Sequence, residues 1–199
     1  MGADLRQRRR ATTMRHVQRV ALDLFERHGY DAVSVAQVAA GADVAERTVY
    51  RHFGTKEGLV VHDEADDAFI GDVVRRARRV GALAAVAEAL DALPGDAWSG
   101  PGAPVADWLR KLRLLRGTPA LRTVFAQATA ELGDALGAAE AEATGAEPYA
   151  TRVRGRAVAA MLAVAVDAWV DGDGEPDLRV LVADGVAALR ASPPGDLSG

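Results

Sequence analysis

Residues 34–59 read SVAQVAAGADVAERTVYRHFGTKEGL, and this stretch decides how the chain folds. Ser34 and Gln37 stand three residues apart, which is the spacing of a capping box and predicts a helix from about 35 to 41. Gly41-Ala42-Asp43 interrupts that helix, and a second short helix is predicted from about Ala45 to Arg51. Two short helices joined by a tight turn, behind a longer supporting helix, form a helix-turn-helix.

The apolar residues of the two short helices fall on faces that can pack together. They are Val35, Val38, Ala39 and Ala42 in the first helix and Val44, Val49 and Phe53 in the second. Small residues at 39 and 42 allow the helices to approach closely. Arg47, Thr48 and Arg51 are then left facing outward, where the N-terminal residues of a recognition helix meet base edges in the major groove.

A longer helix precedes this pair. Its apolar stripe consists of Val17, Val20, Ala21, Leu24 and Phe25. These positions have the i, i+3, i+4, i+7 and i+8 spacing of one helix face. Gly29 follows where a left-handed C-cap ends such a helix.

Charge is unevenly distributed along the chain, whose formal net charge is −4. Residues 1–60 hold 10 Lys and Arg against 7 Asp and Glu, a net charge of +3, whereas residues 61–199 have a net charge of −7. This asymmetry indicates a basic module attached to an acidic body.

Helical periodicity continues beyond residue 60, with breaks at Gly and Pro residues and no alternating strand pattern. Six further helices are predicted near 56–80, 82–93, 103–116, 119–143, 149–171 and 176–190. Together with the three at the front, they predict an all-α chain of about nine helices.

Composition excludes several classes of protein. The 199 residues contain no Cys, which rules out disulfides, thiolate zinc sites and cysteine nucleophiles. The apolar run 157–166 is far shorter than the ~20 residues of a membrane span. The basic N-terminus lacks the apolar segment of a signal peptide, so we expect a cytoplasmic protein with no membrane partner.

The front of the chain closely resembles the TetR family of transcriptional regulators. The resemblance lies in Val35-x-x-Val38-Ala39-x-x-Ala42-x-Val44-x-x-x-Thr48-Val49-Tyr50-Arg51-His52-Phe53, in Lys56-Glu57-x-Leu59, and in the preceding Phe25-x-x-x-Gly29-Tyr30. It covers roughly residues 10–60. The rest of the chain matches in length and all-helical layout.

This resemblance implies a three-helix DNA-binding domain followed by a larger helical domain for effector binding and dimerisation. We place the first at 10–56, with the helix-turn-helix unit at 34–53, and the second at 57–191. Residues 1–9 are expected to form a flexible basic arm, with Arg8, Arg9 and Arg10 ahead of the first helix. Residues 192–199 are expected to be a disordered tail.

Two residues depart from the usual Ala-Gly-Val-Ser turn of the family, since this chain has Ala42-Asp43-Val44-Ala45. Asp43 accepts a left-handed conformation better than most residues, but it adds a negative charge near DNA. Ala45 lacks the hydroxyl of the serine and can offer a phosphate only its backbone N–H.

The outward residues of the second helix are candidates for reading bases. Arg47 can bond guanine O6 and N7 together, Glu46 can accept from cytosine N4, and Thr48 can touch a thymine methyl. Arg51 completes this set. The candidates for phosphate contact, which fix register without reading sequence, are Arg10, Ser34, Ala45, Tyr50, His52, Thr55 and Lys56.

The run AVAAMLAVAV at 157–166 is apolar on every face and must therefore be covered all round. The last helix adds a second apolar face, and two such helices meeting their symmetry mates would form a four-helix dimer interface. The candidate interface residues are Val158, Leu162, Val166, Leu178, Leu181 and Val182. The alternative is that the run is buried inside the monomer.

The resemblance also implies a ligand cavity among the middle helices. The candidates for its wall are Phe69, Trp98, Trp108, Leu112, Phe125 and Met161, with Arg113, Gln127 or Tyr149 as polar selectors. Core packing is the alternative role for each. A cavity lined by such residues suits a small hydrophobic effector.

The predicted function is therefore that of a homodimeric regulator, most simply a repressor, that binds double-stranded operator DNA and is released by an effector. The first alternative keeps the fold and the pocket but has lost DNA recognition, as Asp43 and Ala45 allow. The second is an enzyme or metal protein, for which His62 and Asp66 have i, i+4 ligand spacing. A solvated helix face explains that pair better, and we predict no catalytic residue, cofactor or metal.

Overall fold

The computed structural model describes the backbone of residues 2–61, 64–94 and 104–191, and the side chains of 10–61, 67–94 and 105–191. All regular structure within these ranges is α-helical, as predicted. The helices are α1 (Gly2–His28), α2 (Val35–Gly41), α3 (Glu46–Phe53), α4 (Gly58–Val61), α5 (Glu64–Val80), α6 (Ala82–Asp91), α7 (Pro104–Gly117), α8 (Pro119–Thr144), α9 (Pro148–Asp171) and α10 (Leu178–Arg190).

Two helices differ from the sequence expectation. The segment predicted as one helix over 56–80 contains both α4 and α5, which is why the described part of the chain has ten helices. Residues 2–9, expected as a flexible arm, are the first turns of α1. The physical reason is that no proline or internal glycine separates Gly2 from His28, while Arg, Gln, Leu and Ala all favour helix.

The first of two compact units contains Met1–Phe69 and Trp98–Gln127. The first three helices pack around Phe25, Val38, Val49 and Phe53, and α7 and α8 add Leu115 and Leu121 to the same core. The functional boundary expected at 56–57 thus lies inside this unit, because α7 supports the N-terminal helices.

An arginine on α7 joins that helix to α1 within the first unit. The Arg110 guanidinium donates to Asp23 at 2.5 Å and to Glu26 at 2.7 and 2.9 Å, and Asp107 lies 3.6 Å away. Hydrogen bonds to Glu26, and then to Asp23, raise the pKa of Arg110 above its ordinary value. The cluster therefore keeps its charge and supports the helix that precedes the helix-turn-helix.

The second unit contains Ile70–Ala97 and Ala128–Gly199. Here α9 packs on α10 and α6, and α6 packs on α10. The buried side chains include Val86, Leu90, Leu136, Trp169 and Val182. The core of this unit is thus separate from that of the first.

Three glycines let α8 and α9 meet backbone to backbone. A Cβ on Gly155 of α9 would lie 2.5 Å from the backbone nitrogen of Gly137 on α8 and closer still to the carbonyl oxygen of Gly133. A Cβ on Gly137 would lie 2.7 Å from the carbonyl oxygen of Thr151. No larger residue fits at this crossing without moving a helix.

Ion pairs flank the glycine contact. Asp134 on α8 accepts hydrogen bonds from Arg156 at 2.7 Å and from Arg152 at 3.0 Å. Hydrogen bonds from these two arginines, of which that from Arg156 has the larger effect, hold the pKa of Asp134 well below its ordinary value. The carboxylate stays charged well into acid, and α9 is held at a fixed rotation against α8.

We predict that Gly155→Ala destabilises the protein, because the added methyl must push α8 and α9 apart. Overpacking of this kind costs roughly 1–3 kcal/mol. Urea unfolding of the full chain measures the change. Gly71→Ala is the control, since Gly71 lies in α5 with nothing within 4 Å of the new Cβ. It should leave the free energy of unfolding unchanged or raise it by up to about 1 kcal/mol. Equal effects of the two substitutions would contradict the close crossing.

Candidate nucleic-acid interface

The start of α2 has the predicted capping box. The backbone N–H of Gln37 donates to Ser34 Oγ at 3.2 Å, and the backbone N–H of Ser34 donates to Gln37 Oε1 at 2.7 Å. The pair fixes where α2 begins and therefore where its inner face points.

The turn between α2 and α3 uses Asp43 in a left-handed conformation, with φ of +52°. This confirms the expectation for that position. The backbone N–H groups on either side are bonded, from Ala42 to Val38 at 3.0 Å and from Val44 to Ala39 at 3.0 Å. The missing glycine of the turn is thus tolerated without losing the turn.

Helix α3 has one buried and one exposed face. Val49 and Phe53 are 1% and 3% exposed and belong to the core of the first unit, as predicted. Arg47 and Arg51 are exposed. Of the other two predicted base-reading residues, Glu46 is exposed and Thr48 is half-buried. The face that α3 presents to solvent is therefore charged and mainly basic.

Ala45 is the N-cap of α3 and makes no side-chain hydrogen bond, as expected for a residue without a hydroxyl. The backbone N–H of Thr48 donates instead to the carbonyl oxygen of Ala45 at 2.8 Å. Glu46 places a carboxylate in the first turn, where it interacts favourably with the helix dipole. The start of α3 is consequently held by backbone contacts.

Two predicted phosphate contacts come together across 42 residues of sequence. Arg10 Nη2 donates to His52 Nδ1 at 3.0 Å, so α1 presents its arginine directly beside α3. Because a guanidinium only donates, Nδ1 is the acceptor, and the proton of the neutral ring lies on Nε2. Arg10 is therefore positioned by a helix and a hydrogen bond.

Lys56 is oriented by two aromatic rings. Its ammonium nitrogen lies 4.3 Å from the ring centroid of Tyr30 and 5.7 Å from that of Phe25. Both distances fall within the ≈ 6 Å range of a cation–π contact. Burial, and then the carboxylate of Glu57, raise the pKa of Tyr30, so this ring stays neutral beneath the ammonium. In the sequence, Phe25-x-x-x-Gly29-Tyr30 supported only the family resemblance and did not predict the contact of either ring with Lys56.

The remaining phosphate candidates lie around the same helices. Tyr50 on α3 is 48% exposed. Thr55 Oγ1 accepts a hydrogen bond from the backbone N–H of Gly58 at 3.1 Å and so caps α4. Ser34 and Thr55 are both exposed. These side chains remain accessible to a ligand.

The predicted cavity residues do not form one described group. The rings of Phe69 and Trp108 meet with centroids 5.4 Å apart in the first unit, where Leu112 and Phe125 pack on the core. Met161 lies in the second unit against Gly185. Trp98 is outside the described residues, as are the side chains of His62 and Asp66. The proposed selectors Arg113, Gln127 and Tyr149 are exposed.

The residues predicted for a dimer interface belong mostly to the core of the second unit. Val158, Val166, Leu178 and Val182 are buried within the single chain, and Leu162 and Leu181 are half-buried. Only one side of the apolar run at 157–166 is buried in the single chain. On that side Val158, Ala165 and Val166 of α9 pack against their own unit. The exposed apolar stripe is Val153, Ala157, Ala160 and Val164 on α9 and Val180, Ala183 and Ala187 on α10.

We predict that Asp43→Ala lowers the free energy of unfolding by about 1 kcal/mol, because Ala in a left-handed conformation has no polar side chain to offset the strain. Asp43→Asn should change it little, since Asn tolerates that region. Chemical denaturation measures both. Asp31→Ala is the control, as an exposed Asp without positive φ. An equal loss for Asp31→Ala and Asp43→Ala would contradict a conformational origin.

Among the described residues, no helix is long and apolar enough to cross a membrane.

Comparison with known families gives two matches. Residues 18–62 match the bacterial regulatory proteins of the tetR family, and residues 80–194, more than half of the chain, match the MftR C-terminal domain. The first match contains the helix-turn-helix, and the second contains most of the second unit together with α7 of the first unit.

Two relatives carry regulator names. The HTH-type transcriptional regulator TcmR of Streptomyces glaucescens is 32% identical over 135 residues, which are 66% of this chain and 60% of TcmR. The putative mycofactocin biosynthesis transcriptional regulator MftR of Mycobacterium tuberculosis is 42% identical over 52 residues, 26% of each chain. The chain thus matches about 60% of the length of the first relative and about a quarter of the second.

Solved structures share the fold. NalD of Pseudomonas aeruginosa, described as the secondary repressor of the MexAB-OprM efflux pump, has a TM-score of 0.54 and 22% identity, covering 89% of this chain and 93% of NalD. A transcriptional regulator from Aquifex aeolicus VF5 has a TM-score of 0.54 and 14% identity, covering 89% and 97% of the two chains.

Proposed function

We propose that this chain, which belongs to the TetR family of bacterial transcriptional regulators, is a repressor that binds a pseudo-palindromic operator as a dimer and is released by a small hydrophobic effector. One observation supports DNA reading above the others. Helix α3 is fixed by its buried Val49 and Phe53, while Arg47 and Arg51 lie on its exposed face. Such a helix is suited to enter a major groove.

The exposed face of α3 supplies the base-reading groups. Arg47 lies in the first turn and can reach both acceptors of a guanine, while Arg51 follows one turn later on the same side. Thr48 and Glu46 complete the set, with Thr48 available to a thymine methyl and Glu46 to a cytosine amine. Together they would address a few successive base pairs.

The surrounding groups would position the helix on the sugar-phosphate backbone. Arg10, hydrogen-bonded to His52, and Lys56, held over Tyr30, are cations with limited freedom. Groups fixed in this way lose less conformational entropy on binding than flexible ones. Ser34, Ala45, Tyr50 and Thr55 would add hydroxyl or backbone donors.

A second copy of the chain is the partner that best fits the exposed apolar stripe of the second unit. Val164 is 67% exposed and Val180 50% exposed, each surrounded by alanines at helical spacing. Two-fold pairing of α9 and α10 would cover these stripes and would place two α3 helices on two half-sites.

A helical binding protein without DNA recognition is the second candidate. Asp43 is exposed beside the reading helix, and Ala45 lacks a capping hydroxyl. Both changes weaken the attraction of phosphate. Salt dependence separates the two candidates, because phosphate-driven affinity falls steeply as salt rises.

We expect selection from a random duplex pool to enrich an inverted repeat, and we expect Arg47→Ala to lower affinity for it about tenfold or more, since one bidentate guanine contact contributes roughly 1–3 kcal/mol. Arg122→Ala, which removes an exposed arginine from α8, is the matched control. It should retain the wild-type affinity. Titration of labelled duplex at two salt concentrations measures all three proteins.

If no repeat is enriched, and the three proteins bind DNA alike and weakly, the DNA-reading assignment is wrong and the second candidate stands.

We expect Val164→Glu to give a monomer, because the carboxylate would be buried without a partner at the proposed two-fold contact. Sedimentation or light scattering measures the mass. Ile70→Glu is the control, since Ile70 is a 40% exposed residue of α5 and is not part of the stripe on α9 and α10, and it should leave the dimer intact. A dimer that survives Val164→Glu would place the contact elsewhere.

A further inference from the structure

The second unit contains a groove whose lining includes none of the predicted cavity residues. It has a volume of about 310 Å³ and is lined by the α5–α6 bend and by parts of α8, α9 and α10. Val80, Leu83 and Val158 form its apolar wall, and Arg154, Glu140 and Arg190 add charged groups. Its size is at the lower end of the ≈ 300–1,000 Å³ range of small-molecule sites.

The charges of this groove do not cancel. Glu140, whose side chain is 15% exposed, accepts a hydrogen bond from Arg154 at 2.8 Å, so each neutralises the other. Arg190 lies in the last turn of α10 and makes no ion pair or side-chain hydrogen bond with any described residue. One positive charge is therefore left beside an apolar wall.

We propose that the groove binds a small monocarboxylate with an apolar body. The carboxylate would pair with Arg190, whose guanidinium can bond both oxygens, and the body would cover Val80, Leu83 and Val158. The volume holds roughly ten water-sized groups, at about 30 Å³ each. An acyclic acid of about ten non-hydrogen atoms matches both the volume and the charge.

Because Glu140 and Arg154 neutralise each other, Arg190 sets which head group is accepted. A cationic head beside Arg190 would be repelled, and a neutral alcohol would leave the Arg190 charge without a counter-ion. Specificity therefore comes from the carboxylate, whereas the apolar wall accepts any chain of suitable length. The role of this groove as the effector site of a regulator rests on the proposed function. Its binding of a carboxylate does not depend on that function.

The experiment is a calorimetric titration of octanoate into the full chain without DNA. We expect saturable binding, with 1-octanol and octylamine at least tenfold weaker. Arg190→Gln should weaken octanoate binding about tenfold or more, because a charge-assisted contact is lost, whereas Arg190→Lys keeps the charge but not the two-oxygen contact and should bind octanoate with an affinity between those of Arg190→Gln and wild type. Ala84→Phe, which fills the groove from α6, should abolish binding. Arg122→Gln is the charge-matched control and should bind as wild type does.

Equal affinities of octanoate for wild type, Arg190→Gln and Ala84→Phe would overturn the proposal, as would a stronger response to octylamine. Binding to Val164→Glu but not to wild type would also overturn it, since a second copy would then fill the groove. Measuring the binding of octanoate and of the selected duplex to the same protein separates this site from the DNA assignment. Octanoate binding without any DNA binding supports the groove and removes the regulator, whereas DNA binding without octanoate binding does the reverse.

Discussion

The contact between α3 and α2 is the constraint on which the proposed interface depends. Val49 and Phe53 are nearly inaccessible, and each such side chain contributes roughly 1.5–3 kcal/mol through burial. Rotating α3 by one residue, about 100°, would expose both and bury a charged side chain instead. The exposed positions of Arg47 and Arg51 are therefore set by the core and not by any contact of their own. Asp43 and the Ser34–Gln37 box contribute by fixing the turn and the start of α2.

Local signals in the sequence were sufficient for the helix-turn-helix and for most helix bounds. The capping box, the left-handed turn at Asp43 and the glycine and proline breaks each act over a few residues, so a single sequence reveals them. Contacts between distant residues carry no such signal. Arg110 meets Glu26 across 84 residues, and Arg10 meets His52 across 42. The helical form of residues 2–9 was also missed, because a run of basic residues reads equally well as a solvated terminus.

The buried and exposed faces of α9 were harder to predict for a different reason. A helix that is apolar on every side has no preferred inner face in its sequence. The sequence of 157–166 therefore does not indicate that Val158 is buried and Val164 exposed. The close crossing of Gly155 with Gly133 and Gly137 decides this, aided by the Asp134 ion pairs. With the rotation of α9 fixed, Val158 faces its own unit and Val164 faces solvent. A tertiary contact of three glycines thus selects the surface that a second copy would meet.

The same rotation of α9 places two proposed surfaces on one helix. Ala157 belongs to the exposed apolar stripe and also lines the groove, where its neighbour Val158 forms part of the wall. A ligand in the groove and a second copy on the stripe would therefore both contact α9 within one turn. A ligand shifts an equilibrium only by its difference in affinity for the two states. If the pairing of α9 differs between the DNA-bound and released dimers, a ligand whose apolar body covers Val158 contacts the helix whose packing has to change.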